Sequence, residues 1–379
     1  MAEILIDAQI DDQLSDIDDQ LQVQISSKAK AMSRYFMNAC INYGVNGHTF
    51  EQTNNGRLGA ATFESAPMFQ GMRAILDAEQ GNAGDVNHPF YNGGNATQTI
   101  ELIEDDASSA REGKPGRVFT LEDLDKLLDA VTKGPEFLLM NKSMRRILRT
   151  LLRNTGGGTD AAQVMRQDLG SGKPMLHYQE IPVFISDFVS SVEAVHQVNT
   201  TAVTIASISG ATVTLSADVS AQITAALITP GIISAVSASE PIYLQSRTGA
   251  TGKFRKVVLK VIGVAAAVLT IDPAYQFQND ETNKLQSVSL AALNSTSGLL
   301  NKAATLWERM DGTSIYCGKF GEQEGICGFT LQNGQGIQIK YVGPSREKDQ
   351  EQFRMKLYVG FETYSRLALA RLKSVLKLA

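Results

Sequence analysis

Residues 121–154 read LEDLDKLLDAVTKGPEFLLMNKSMRRILRTLLRN, and residues 176–187 continue LHYQEIPVFISD. Thr120, followed three positions on by Asp123, makes an approximate capping box in which Asp stands where Glu or Gln is usual. Leu121, Leu124, Leu127, Leu128 and Val131 then fall on one helical face. The apolar run in GPEFLLMN is the length of a buried strand. A second helix is predicted over 142–153, with Met144, Ile147, Leu148 and Leu151 inward and Arg145, Arg146, Arg149 and Arg153 outward. Residues 181–187 supply another strand. Far along the chain, 314–343 (SIYCGKFGEQEGICGFTLQNGQGIQIKYVG) reads as three strands. The last stretch, EQFRMKLYVGFETYSRLALARLKSVLKLA from Glu351, reads as a long strand over 353–361 and a closing helix-like run over 364–376. The pattern predicts an α+β chain.

The opening segment is of a different kind. Ile10, Leu14, Ile17, Leu21, Ile25, Ala29, Met32 and Phe36 recur in steps of three and four, and neither Pro nor Gly intervenes before Gly44. A helix over about 9–42 would be about 50 Å long. Aspartates crowd its start and Lys28, Lys30 and Arg34 its end, which suits the helix dipole. The stripe is mixed in residue size and lacks regular flanking charge pairs, so packing along a sheet of the same chain is expected over a two-helix coiled coil. Residues 48–117 are rich in Gly, Asn, Thr and Ala and predict extended surface loops, with one short helix in APMFQGMRAILDAEQ.

From about 190 to 305 aromatic residues thin out, and Val, Ile, Thr, Ala and Ser dominate. Two runs repeat one design, a β-branched strand, a small turn at Ser209-Gly210 or over 264–267, and a second strand. This predicts a separate antiparallel β domain, a barrel or sandwich, inserted into the host fold. Trp307, the sole tryptophan, sits where the chain returns and is expected in the core.

Composition narrows the function. A chain of 379 residues with a net charge of −5 lacks the basic excess of a dedicated nucleic-acid binder. Cys40, Cys317 and Cys327 are odd in number and widely spaced, against a disulfide framework or a zinc ribbon, and read as buried small hydrophobes. The N-terminus is acidic without an apolar core, so no secretory signal is expected, and no run approaches the about 18–20 apolar residues of a membrane span. Gly172-Lys173 is followed by Pro174, where a phosphate-binding loop needs a hydroxyl. His48, His88, His177 and His196 are scattered outside any metal-ligand spacing and read as solvated or turn residues. There is no GxSxG elbow. No catalytic, metal or cofactor residue is nominated, and no cofactor or enzymatic activity is expected. The four arginines 145, 146, 149 and 153 are the candidate contacts, to DNA phosphates or to acidic neighbours across a subunit boundary, against a plain solvated helix face.

Taken in order, the long helix, FQGMRAIL, the 121–187 block and the stretch from 314 onward resemble the shell-forming core of tailed-phage major capsid proteins, the Hong-Kong-97-type or Johnson fold. The resemblance covers about two thirds of the chain. It implies a spine helix over 9–42 within a peripheral-domain region (1–120), an axial domain begun at 121–189, an inserted β domain over 190–305, and a return through both domains over 306–379. It further implies a self-assembling structural protein, forming pentamers and hexamers of an icosahedral head, with portal, scaffold or decoration proteins and non-specifically packaged DNA as partners and no membrane. Such a chain is assembled in the host cytoplasm and resides in the virion. The alternative of the same architecture is an encapsulin-like bacterial nanocompartment shell. A secreted adhesin or tail protein is disfavoured by the missing signal and the cysteine usage. One departure stands out, because the family's arm and extended loop normally precede the spine, whereas here the helix begins almost at Met1. Either an upstream region is removed, or the excursion over 46–117 does the clasping.

Overall fold

The computed structural model describes residues 2–7, 20–42, 71–76, 98–154, 166–168, 174–248, 255–279, 285–287, 299–322, 324–330, 337–344, 350–357, 359–363, 365 and 367–377. Strand β1 (Ala2–Asp7) precedes helix α1 (Gln20–Asn42), and α2 (Met72–Leu76) and β2 (Thr99–Glu101) lead to α3 (Leu121–Asp129), β3 (Phe137–Met140) and α4 (Lys142–Asn154). Next come β4 (Arg166–Asp168), β5 (Pro174–Tyr178), β6 (Ile181–Ile185), β7 (Glu193–Gln197), β8 (Val203–Ser209) and β9 (Thr212–Leu215). A short helix α5 (Ser220–Ile223) runs into a π-helical turn over Thr224–Ile228. The strands β10 (Ile242–Thr248), β11 (Arg255–Ala265), β12 (Val268–Asn279) and β13 (Leu285–Ser287) follow, then the longest, β14 (Ala303–Gly318). The chain closes with β15 (Ile326–Thr330), β16 (Ile337–Pro344), β17 (Gln350–Leu357), β18 (Val359–Thr363) and β19 (Leu369–Val375).

The C-terminal half of β14 lies between β3 and β19, antiparallel to both, while β6 runs parallel to β3 and β2 parallel to β19. The result is a mixed sheet in an α+β fold. Side chains alternate across a strand, and here both faces are covered. Ile315 and Cys317 join Leu124, Leu127, Met144 and Leu148 of α3 and α4 in one core. Tyr316, one step out of phase, joins Phe137, Leu369, Ile41 of α1 and Met72 and Leu76 of α2 in another. Helix α3 opens on the capping box read in the sequence: the Thr120 hydroxyl accepts from the Asp123 amide at 3.3 Å, and the Asp123 carboxylate accepts from the Thr120 amide at 2.8 Å.

A third core is built wholly from residues 198–306. Strands β10, β11, β12, β9, β8 and the first half of β14 pair antiparallel in that order, and β10 pairs back to β14 through Tyr243 and Trp307. That ring of pairings removes free edges. Val203, Ile205, Leu244, Leu259, Val261 and Leu306 are buried within the cluster, and Ile223 and Leu227 of the α5 region join it. Each such aliphatic side chain contributes about 1.5–3 kcal/mol through burial. Strand β14 therefore belongs to both bodies, first to the ring and then to the mixed sheet.

Several expectations change on this framework. The closing run 364–376, read as helix-like, holds strand β19, whose residues are all buried except half-buried Lys373. A strand covered on both faces needs apolar residues on successive positions, which removes the alternation that would have marked it. The expected single strand over 353–361 is two strands in different sheets, β17 with β1 and β16, and β18 with β15. Helix α1 is described from Gln20, and residues 9–19 of the expected opening helix lie outside the described residues; ahead of them is β1, which the helical reading did not anticipate. Trp307 is half-buried and out of phase with buried Leu306 and Glu308, on the opposite face of β14 from the core. Of the cysteines, Cys317 is buried, and Cys40 and Cys327 are only half-covered.

Candidate functional site

Three features carry the chain's unusual chemistry. The first is the outer face of α4. Its inner residues Met144, Ile147 and Leu148 are in the core, and Asn141, itself buried, caps its first turn by accepting from the Met144 amide at 2.9 Å while donating to Thr313 Oγ1 at 2.8 Å. The helix is thus fixed in rotation, with Arg146, Arg149 and Arg153 exposed. Arg145 departs from the expected outward set: it is half-buried, and its Nε is buried without a hydrogen-bond partner among the described residues. Lys142 pairs with Asp187 at 2.9 Å. No carboxylate among the described residues pairs with any of the four arginines.

The second feature is a buried ionic network on the α2 side of the mixed sheet. Glu193 of β7 accepts from Ser314 Oγ at 2.6 Å and from Arg371 Nη2 at 3.1 Å, and Arg73 of α2 lies 3.5 Å from its other oxygen. Arg371 Nε donates to Ser314 Oγ at 2.9 Å, and its guanidinium lies 5.8 Å from the Tyr316 ring centre. Burial would raise the Glu193 carboxyl, but Arg73 and Arg371, with the hydrogen bonds from Ser314 and Arg371, hold it down to about 2. The network is a structural clamp joining β7, β14, β19 and α2.

Glu308 of β14 anchors the third. It accepts from Arg111 and lies 2.7 Å from His196 Nδ1, and Arg111 in turn donates to the Pro115 carbonyl at 2.8 Å. His196 holds a left-handed backbone at φ 57°. Burial, with the positive charges of Lys114 and Arg111, pushes its pKa down to about 4, so near neutral pH the ring is uncharged and donates Nδ1–H to Glu308. His177 is also buried. Both histidines therefore contradict their reading as solvated or turn residues, while His48 and His88 lie outside the described residues.

The Glu193 carboxylate is flanked by Arg73 and Arg371, and the thiols of Cys40 and Cys317 are pushed up by burial, that of Cys40 to about 12. Among the described residues no group of three or more His, Cys, Asp or Glu side chains is placed to hold a metal ion, and no helix is long and apolar enough to cross a membrane.

Helix α1 is the other notable surface. Ala39 and Ile41 are buried in its last turn, and Asn42 donates to Asn38 Oδ1 at 3.0 Å and to the Phe188 carbonyl at 2.8 Å. Ahead of that turn the helix is uncovered: Val23, Tyr35 and Met37 are 54%, 46% and 47% exposed, and Ile25, Ala29, Met32 and Phe36 are only half-buried. Edge strand β16 also presents apolar side chains outward, with Ile339, Tyr341 and Val342 exposed.

No family model matches the chain. No curated protein matches it either. Among solved structures, the holo-SrpI encapsulin complex of Synechococcus elongatus PCC 7942 aligns with 99% of this chain and 72% of its own, at 12% identity and a TM-score of 0.47.

Proposed function

We propose that this chain is a shell-forming structural subunit, and that the shell is the head of a tailed double-stranded DNA phage, with the chain as its major capsid protein. Helix α1 carries the reading. A helix of 23 residues, about 34 Å long, anchored by its last turn and leaving an apolar stripe half-open, is a surface that a neighbouring subunit would cover. The exposed apolar residues on β16 provide a second such surface. Many modest contacts of this kind, repeated in a closed array, hold a shell together without any single strong interface. On this reading residues 1–120 supply the peripheral body, 121–189 begin the axial body, 190–305 form an inserted domain, and 306–379 end the axial body and return through the peripheral one. The chain acts as a tile without enzymatic activity, assembled in the host cytoplasm and ending in the virion.

The second shell reading, a bacterial nanocompartment, shares these surfaces and differs in contents. Particles isolated after native expression decide between them. The phage reading expects a nucleic-acid absorbance spectrum from nuclease-treated particles. Particles filled with an enzyme and free of nucleic acid would replace it with the nanocompartment reading.

A further inference from the structure

We propose that the outer face of α4 is a sequence-independent seat for a nucleic-acid backbone, building on the shell reading by assigning the wall's contact with its contents. Lys142, Arg146, Arg149 and Arg153 follow one another in steps of four, three and four residues, and the ion pair of Lys142 with Asp187 is solvent-exposed, so a phosphate displaces it at little cost. These steps place them in a single stripe about 16 Å long on a straight helix. Duplex DNA carries a phosphate about every 3.4 Å along each strand, so a stripe of this length spans several phosphates. Arginine's planar fork binds phosphate oxygens through paired N–H donors.

Two observations favour a polyanion over a protein neighbour. First, no large apolar residue of α4 is exposed, so the face lacks the buried anchor around which a protein interface is organised. Second, Lys142, Arg145 and Arg146 sit in the first turns of the helix, where the macrodipole disfavours cations, and no acidic residue occupies the first turn. The local arrangement is unfavourable to the isolated helix, and a line of bound phosphates would offset that repulsion. The inner face, fixed by Met144, Ile147, Leu148 and the Asn141 cap, holds the stripe in one orientation.

The test uses the full-length protein and a labelled random-sequence 30-base-pair DNA duplex, with fluorescence anisotropy read between 50 and 200 mM salt. Four phosphate contacts predict an affinity that falls about 150-fold over that range. The triple variant Arg146→Gln, Arg149→Gln, Arg153→Gln should show only about a threefold fall. A control triple, Lys126→Gln, Lys133→Gln, Lys319→Gln, removes the same charge from positions off α4, α1 and β16 and should keep the steep slope. Equal slopes for wild type and the arginine variant, or equal losses in both triples, overturn the proposal. So does an arginine variant that binds DNA normally but no longer assembles, which would make the stripe a contact between copies. Assembly is scored separately by electron microscopy: shells without DNA affinity sink this inference alone, and DNA binding by a chain that never assembles sinks the shell reading instead.

Discussion

Glu193 shows how a buried charge is held in this fold. Replacing it by Gln leaves Arg371, itself 3% exposed, and Arg73 without their carboxylate, and the expected cost is about 3–5 kcal/mol, read from urea unfolding at neutral pH. The depressed carboxyl also fixes a pH response. Its contribution to stability is complete above the unfolded value of 4.5 and is lost as pH falls from there through about 2. His196 acts in a separate window. Because its folded pKa is lowered from 6.5 to about 4, the unfolded chain takes up the proton first, and stability is lost as pH falls from 6.5 through about 4. His196→Asn keeps a residue that tolerates the left-handed backbone and should flatten the unfolding midpoint across that window. An unchanged slope would show that the ring is not the titrating group. Gly312 is set by close approach, since a Cβ there would collide with the Val195 side chain and stand 3.0 Å from the Glu193 carbonyl oxygen. Gly312→Ala should destabilise by about 1–3 kcal/mol in the same assay.

Helices α3 and α4 were legible because each has one buried face, so the 3.6-residue period and the Thr120 box are written directly into residues 120–153. Strand β19 was not. Its run LARLKSV is covered on both sides of the sheet, and its leucines, Ala370, Arg371 and Lys373 have high helix propensity. The same misreading hid Arg371, which as a helical residue sits on a solvated face and as a strand residue faces Glu193. Glu308 left a clearer trace: Leu306, Glu308 and Met310 share one strand parity, and all three are buried. A carboxylate on an apolar parity calls for a partner, though nothing local identifies Arg111 and His196, about 200 and 110 positions upstream, as that partner. The turns at Gly210 and Ala266, both at positive φ, were readable as the small turns joining β-branched strands. The closure of the ring through β10 and β14 was not, because it depends on pairing between strands far apart in sequence. At this scale α1 provides the sharpest prediction. Val23→Ser with Met37→Ser removes apolar surface that is already exposed, so monomer stability should change by less than about 0.5 kcal/mol while assembly is abolished. Loss of both together would mark α1 as part of the monomer's own core.

For the whole molecule, two bodies share β14: the ring and the mixed sheet each bury their own side chains, and one continuous strand sets their register. The same economy leaves apolar side chains of α1 and β16 exposed, and in the proposed shell neighbouring copies cover them. Cryo-electron microscopy of the full-length protein tests this most directly. The expected particles are closed shells or rings of five and six subunits in which Val23, Tyr35 and Met37 are covered by an adjacent copy. A protein that stays monomeric across concentrations at which shells form, or particles in which those residues remain bare, would contradict it.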